Sequence, residues 1–169
     1  MQGTRCPQCG EADMADSVET HLYKKSGLKN VTLRNLKTRR CANCGHMMVA
    51  IPKASELHGL LASRFVLKPS RLEPFEIRGL RGLMELTGRA LARRLHVEPE
   101  QVSRWESENK PQPIGKTSET ALRLLVYVSL CADRIPDFPA QLESIALEPP
   151  QQPFRVMVTW ADGQWRTFG

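Results

Sequence analysis

The sequence predicts an α+β chain. A small N-terminal zinc-ribbon-like β domain leads through a connector helix to an all-α helix-turn-helix domain and a C-terminal β-hairpin. Three observations carry that prediction. Cys6-Pro-Gln-Cys9 and Cys41-Ala-Asn-Cys44 form two C-x2-C knuckles, each followed by glycine. From Phe75 to about Ala132, apolar residues recur at helical spacing. Near the end, Asp162-Gly163 separates two stretches rich in β-forming residues, a strong signal for a two-residue type I′ turn.

The knuckles come first because their chemistry is the most specific. Four thiolates at this spacing can meet tetrahedrally around one Zn²⁺ at roughly 2.3 Å each. Glycine after the second cysteine lets the backbone turn at positive φ around the sulfurs. A four-thiolate site is closed, so the metal is expected to fold residues 1–53 rather than perform chemistry. Paired knuckles also hold iron, and the basic context attached to a helix-turn-helix favours zinc. His46, beside the second knuckle, and His21 are expected at the surface rather than among the ligands. The fifth cysteine, Cys131, sits in the apolar run Leu122–Cys131 and is expected as a small core residue.

Between the knuckles, Val18–Lys24 alternates as a strand, Lys25-Ser-Gly27 forms a turn, and Val31–Arg39 gives a second strand. Val49–Pro52 can add a third. From Lys53 the period changes. Leu57, Leu60, Leu61 and Phe65 fall on one face of a helix over Ser55–Phe65, with Ser55 as its cap. Lys68-Pro69-Ser70 breaks the chain, so residues 54–73 form a connector. Helices then follow over Phe75–Glu85, Gly88–Leu95 behind a Thr87 cap, and Pro99–Glu106, where Pro99 suits the first turn. Thr117 or Ser118 caps a longer helix to about Ala132, closing a domain over 74–133. Pro136, Pro139 and Pro149-Pro150 mark 134–153 as a loose connector, and Phe154–Phe168 forms the hairpin. In that hairpin Ala161 faces Gln164 and Trp160 faces Trp165. An isolated hairpin is marginal in water, so this one must dock on something.

Charge is unevenly spread. The chain carries +6 overall, of which +5 lies in residues 1–53, mainly between Lys24 and Arg40; residues 111–169 are net −1. A basic surplus of this kind suits an acidic partner or nucleic acid. No apolar run approaches the roughly 18 residues of a membrane helix, and no signal pattern opens the chain, so the cytoplasm is the expected compartment. Paired knuckles there point to metal rather than disulfides.

The segment Leu86–Ser107 carries helix-turn-helix chemistry. Small Ala90 and Ala92 let two helices approach, Val97 plugs the turn, and Val102 with Trp105 fixes the next helix by its inner face. Pro99, Glu100, Gln101, Ser103 and Arg104 are left outward, where they would enter a major groove. Arg104 suits a bidentate contact to guanine, and Glu100 can accept from cytosine N4. Arg89, Arg93, Arg94, Asn109 and Lys110 are candidate phosphate contacts. Glu106 is expected to support the helix end. Because the 74–110 region is only +1, one protomer would bind weakly, and a homodimer on two half-sites fits the chemistry better. The Leu122–Leu130 stretch is core first and dimer interface second.

Four-cysteine domain, connector helix and Val-Ser-Arg-Trp-Glu at 102–106 together resemble the MqsA-type (YgiT-type zinc finger) antitoxin and regulator family, over about residues 4–132. The resemblance implies Cys6, Cys9, Cys41 and Cys44 as ligands, and Glu100, Gln101, Ser103 and Arg104 as readers of double-stranded, palindromic DNA. It also implies a zinc domain able to bind a toxin protein where one exists. Two positions depart from it: Gly88 stands where the family often has Gln, and Glu98 where Ser or Thr usually caps. No Ser/His/Asp set, P-loop or paired catalytic carboxylates accompanies these motifs, so an enzyme is not expected. The expected function is a dimeric, autoregulatory DNA-binding repressor; the rival is an antitoxin that works mainly by protein binding.

Overall fold

A computed structural model describes residues 5–11, 13–24 and 27–168. Among these the fold is α+β, with one mixed five-stranded sheet and six α-helices. The N-terminal part supplies β1 (Met14–Leu22), β2 (Val31–Cys41) and β3 (Met47–Val49). Helices α1 (Ala54–Val66), α2 (Pro74–Leu83), α3 (Gly88–Leu95), α4 (Pro99–Trp105) and α5 (Lys116–Val126) follow. A π-helical turn over Tyr127–Cys131 prolongs α5, then come α6 (Phe138–Glu143), β4 (Val156–Ala161) and β5 (Gln164–Thr167). No helix of the described residues is long and apolar enough to cross a membrane.

Strand β2 organises the sheet. One edge pairs antiparallel with β1 along its whole length, from Met14 opposite Cys41 to Leu22 opposite Thr32. The other edge is shared. Val31–Arg34 pairs in parallel with Val156–Thr159 of β4, and Thr38–Arg40 pairs antiparallel with β3. The handover falls at Asn35, where β2 bulges against β1 and φ is 61°. Asparagine tolerates this left-handed conformation better than most side chains. Its Nδ2 donates to the Trp160 carbonyl at 2.7 Å, tying the bulge to the end of β4.

The C-terminal hairpin therefore docks on the sheet of the cysteine-bearing segment. Its turn has φ of 50° at Asp162 and 74° at Gly163, both positive as a type I′ turn requires. Ala161 faces Gln164 and Trp160 faces Trp165, the two indoles meeting edge-on at 5.3 Å. The Trp165 indole donates to the Pro52 carbonyl at 2.9 Å, which fixes the hairpin beside the start of α1.

One apolar core joins sheet and helices. Val31, Leu33, Leu36, Val156, Val158 and Trp165 line the inner sheet face and pack with Leu57, Leu61 and Phe65 of α1. Helix α2 lies so close to the β1–β2 loop that a Cβ at Gly79 would stand 2.4 Å from Leu28 Cδ2. Two ion pairs are sunk into this core. Lys68 Nζ meets Glu76 Oε2 at 2.6 Å, both side chains fully buried. Arg123 pairs with Glu119 at 2.8 Å and donates to the carbonyls of Val66, Lys68 and Ser70. Those carbonyls belong to the end of α1 and the chain leaving it, so Arg123 serves as a C-terminal cap delivered from another helix.

Several local expectations are corrected. Strand β1 begins four residues before Val18, because pairing with β2 continues toward the second knuckle. Strand β3 ends, rather than begins, at Val49. Lys53, with φ 44°, occupies the cap position of α1 in place of Ser55, and Gly115 precedes α5 in place of Thr117 or Ser118. The connector over 134–153 contains α6. Its proline lies in the first turn, where no amide is needed, and Phe138 is fully buried and stacks on Tyr127 at 4.5 Å. Of the turn expected at Lys25-Ser-Gly27, Lys25 and Ser26 lie outside the described residues; the Gly27 amide donates to the Lys24 carbonyl at 3.0 Å.

Candidate metal centre and nucleic-acid interface

The two knuckles are built alike. The Gly10 amide donates to the Cys6 carbonyl at 2.8 Å, and the Gly45 amide to the Cys41 carbonyl at 3.0 Å. Both glycines have φ of 70° and no heavy atom within reach of an added Cβ, so the backbone angle is what calls for glycine. Cys41 closes β2, and its amide donates to the His46 carbonyl at 2.9 Å. The β1–β2 ladder thus carries the second knuckle back over the first.

This brings four sulfurs together. Those of Cys6, Cys9, Cys41 and Cys44 all lie within 4.8 Å of one another. Cys6 to Cys44 and Cys9 to Cys41 are each 3.6 Å. A tetrahedron with metal–sulfur bonds of about 2.3 Å has edges of about 3.8 Å, so the cluster is close to the size a metal ion requires. Without a cation the thiols ionise unequally. The Glu11 backbone amide, foremost, holds Cys9 down to about 6. Cys44, although exposed, receives an amide hydrogen bond from His46, yet local desolvation and its three sulfur neighbours push it up to about 12. A divalent cation removes that conflict, because coordination deprotonates every thiol. Cys131 stands apart, buried in the helical core with its thiol pushed up to about 11 by burial.

Helices α3 and α4 are joined by His96-Val97-Glu98, with His96 in the left-handed region at φ 53°. The Thr87 hydroxyl accepts from the Ala90 amide at 3.1 Å and starts α3. Leu91 and Ala92 of α3 and Val102 and Trp105 of α4 are buried, and Val97 packs against the same core. At the start of α4, the Gln101 side chain accepts from the Glu98 amide at 3.1 Å, completing one arm of a capping box. Glu98 therefore sits in a working cap, although it is neither Ser nor Thr.

The residues expected to contact DNA are all exposed. Glu100, Gln101, Ser103 and Arg104 lie on the outer side of α4, Arg89, Arg93 and Arg94 on α3, and Asn109 and Lys110 just beyond α4. Gln101 Oε1 is turned toward its own helix start, leaving the amide nitrogen as its outward donor. Among the described residues, none of Arg89, Arg93, Arg94, Arg104 and Lys110 joins an ion pair. The neighbouring arginines on α2 behave differently. Arg81 forms a bidentate bridge to Glu106 at 2.7 and 2.8 Å, and Arg78 donates to the Glu106 carbonyl at 2.7 Å. Glu106 thus pins the C-terminal end of α4 to α2.

Compared with protein-family models, with curated proteins and with solved structures, the chain finds no match.

The motifs did not disclose the clamp between the cysteine-bearing segment and α4. Lys29 in the β1–β2 loop bonds Glu108, which also lies 3.7 Å from Arg78. Nor did they disclose the two buried ion pairs. Glu119 and Arg123 at i, i+4 within an apolar helix were the available signal, since charges on a buried face need partners.

Proposed function

We propose that this chain is a zinc-stabilised, DNA-binding transcriptional repressor that acts as a homodimer on a palindromic operator, related to the MqsA-type regulators. One observation carries the reading. Helix α4 is fixed by Val102, Trp105 and Glu106 while Glu100, Gln101, Ser103 and Arg104 face outward beside unpaired arginines of α3. A short helix held rigidly at its inner side, offering polar side chains and flanked by free cations, is what base readout with phosphate anchoring requires. The zinc assignment is supported by four thiolates of tetrahedral size with no nitrogen or oxygen ligand among them.

Dimerisation is supported by Leu124 and Val128, four residues apart and 37% and 71% exposed. Two large apolar side chains on one turn of surface suit a second copy. The test is a footprint of the metal-loaded protein on DNA upstream of its own gene. A protected palindrome supports autoregulation. Absence of protection by folded, metal-loaded protein counts against it and shifts the weight to protein binding by the N-terminal domain.

A further inference from the structure

Among the described residues, the second face of the sheet is left largely to solvent. Side chains alternate along strands and residues paired across strands share a face, so the register gives its composition. Asp16, Arg39 and Met48 form one row and Val18 stands beside Lys37 in the next. Leu22, Thr32 and Met157 form another, and Arg34, Thr159 and Arg166 the next. Phe168 follows β5 beside Met157 and sits under the Arg34 guanidinium at 5.4 Å.

Of the seven large apolar side chains exposed among the described residues, five belong here. Val18 is 62% exposed, Phe168 52%, Met48 46%, and Leu22 and Met157 41% each. Leaving such residues clustered in water is costly and marks an interaction surface. A groove of about 640 Å³ runs over β2 between Val18, Lys37, Arg39, Met48 and Ala50. The outward strand positions carry Arg34, Lys37, Arg39 and Arg166 against Asp16. Asp16 pairs with Arg39 at 2.8 Å and Asp162 of the hairpin turn with Arg166 at 3.3 Å, which leaves Arg34 and Lys37 outside any ion pair among the described residues.

We propose that this outer sheet face binds an acidic, amphipathic protein segment that sets aliphatic side chains on Val18, Leu22, Met48 and Met157 and carboxylates against Lys37 and Arg34. The charge argues for an acidic occupant, and against a second copy, which would set like charges opposite one another. The apolar residues are aliphatic or thioether, whereas nucleic-acid platforms stack bases on open aromatic rings. The one aromatic on this face among the described residues, Phe168, already has the Arg34 guanidinium over one side of its ring. Two methionines give a surface that adapts to aliphatic partners. Met157, Thr159 and Arg166 belong to β4 and β5, so the face reaches its full extent only because the C-terminal hairpin joins the cysteine-bearing strands. It lies apart from α3 and α4, and the inference does not depend on DNA binding.

The test uses isotope-labelled, metal-loaded full chain, titrated with a short synthetic peptide of alternating glutamate and leucine. A lysine–leucine peptide and oligo-dT are titrated in parallel, and amide shifts are recorded. Saturable shifts at Val18, Lys37, Met48 and Met157 from the acidic peptide alone are expected, weakened about tenfold or more by Lys37→Glu. Lys37 is exposed and is part of no core contact, so this variant keeps the fold, and it should leave any operator footprint unchanged. Arg104→Ala should leave peptide binding unchanged, which separates failure of this inference from failure of the DNA reading. The proposal is overturned if the acidic peptide shifts no sheet residues or shifts α3 and α4 instead. It is equally overturned if oligo-dT occupies the same face more tightly.

Discussion

The knuckle end of the sheet and the α3–α4 unit are both small, yet they are held by opposite means. Around the sulfurs, burial is confined largely to Cys6 and Cys41, and the neighbouring positions Met14–Asp16 and Met47–Val49 are half-buried or exposed. The α3–α4 unit rests on Leu91, Ala92, Val102 and Trp105 and on the Arg81–Glu106 bridge. The first is a sulfur cluster close enough to hold an ion, while the second depends on packing and keeps its outer cations out of ion pairs. On the proposed reading, structure and function are therefore separable: losing the metal should spare α4, and losing Arg104 should spare everything but recognition.

The largest effect should come from Cys41→Ser or from chelation. Binding of structural zinc contributes apparent free energies on the order of 10–16 kcal/mol in zinc-finger peptides, and on the proposed reading that energy would act locally here. Stoichiometric metal should be lost, and hydrogen exchange should accelerate over Met14–Glu19 and Thr38–Val49. Val31, Leu33 and Leu36 belong to the main core and should stay protected. Stoichiometric metal in the variant would break the four-cysteine assignment, and loss of protection in α4 would break the separation. Acid sharpens the same point. Metal binding releases protons from thiols, so affinity falls as pH falls, and release should appear below neutrality while helical signal persists.

A smaller but global loss should follow Arg123→Met. Removing one partner of a buried ion pair leaves Glu119 with the Leu72 amide and Arg71, 3.8 Å away, and strips three carbonyls of a donor, at a cost of up to about 3–5 kcal/mol. Thermal unfolding should fall for helices and sheet together; a drop confined to α5 would contradict a single core. Smaller again, Glu106→Gln should cost about 1–3 kcal/mol, because it weakens a charge-assisted bidentate contact without emptying space. DNA affinity should fall with it, through the placement of α4 rather than through any contact by Glu106. Unchanged affinity in a destabilised variant would show that the bridge positions nothing.

How much of this was legible depended on how far apart the interacting residues are in sequence. The cysteine knuckles, the Thr87 cap, the inner residues of α3 and α4 and the Asp162-Gly163 turn are local patterns, and they stand where the spacing places them. The position of the hairpin is not local. β4 lies parallel to β2 over Val31–Arg34, up to the Asn35 bulge, and β3 takes the same edge of β2 beyond it. Nothing in the alternation of Val31–Arg39 announces it. Helix α6 was hidden by its prolines, which mark a break unless they fall in a first turn. The buried Lys68 was hidden because its partner Glu76 and the Phe154 ring over it, 5.4 Å away, come from separate elements. The uncovered sheet face could be seen only once register had assigned Val18, Met48 and Met157 to the same side.

The measurement that bears most directly on the central claim is selection of binding sites from random duplex DNA by wild-type protein and by Arg104→Ala. A bidentate arginine–guanine contact contributes about 1–3 kcal/mol of discrimination. The wild type should recover a palindrome with a fixed guanine in each half-site. The variant should lose preference at that position alone, with metal content and melting temperature unchanged. Recovery of no palindrome by the wild type, or an identical motif from both proteins, would contradict the assignment of α4 as the reading helix.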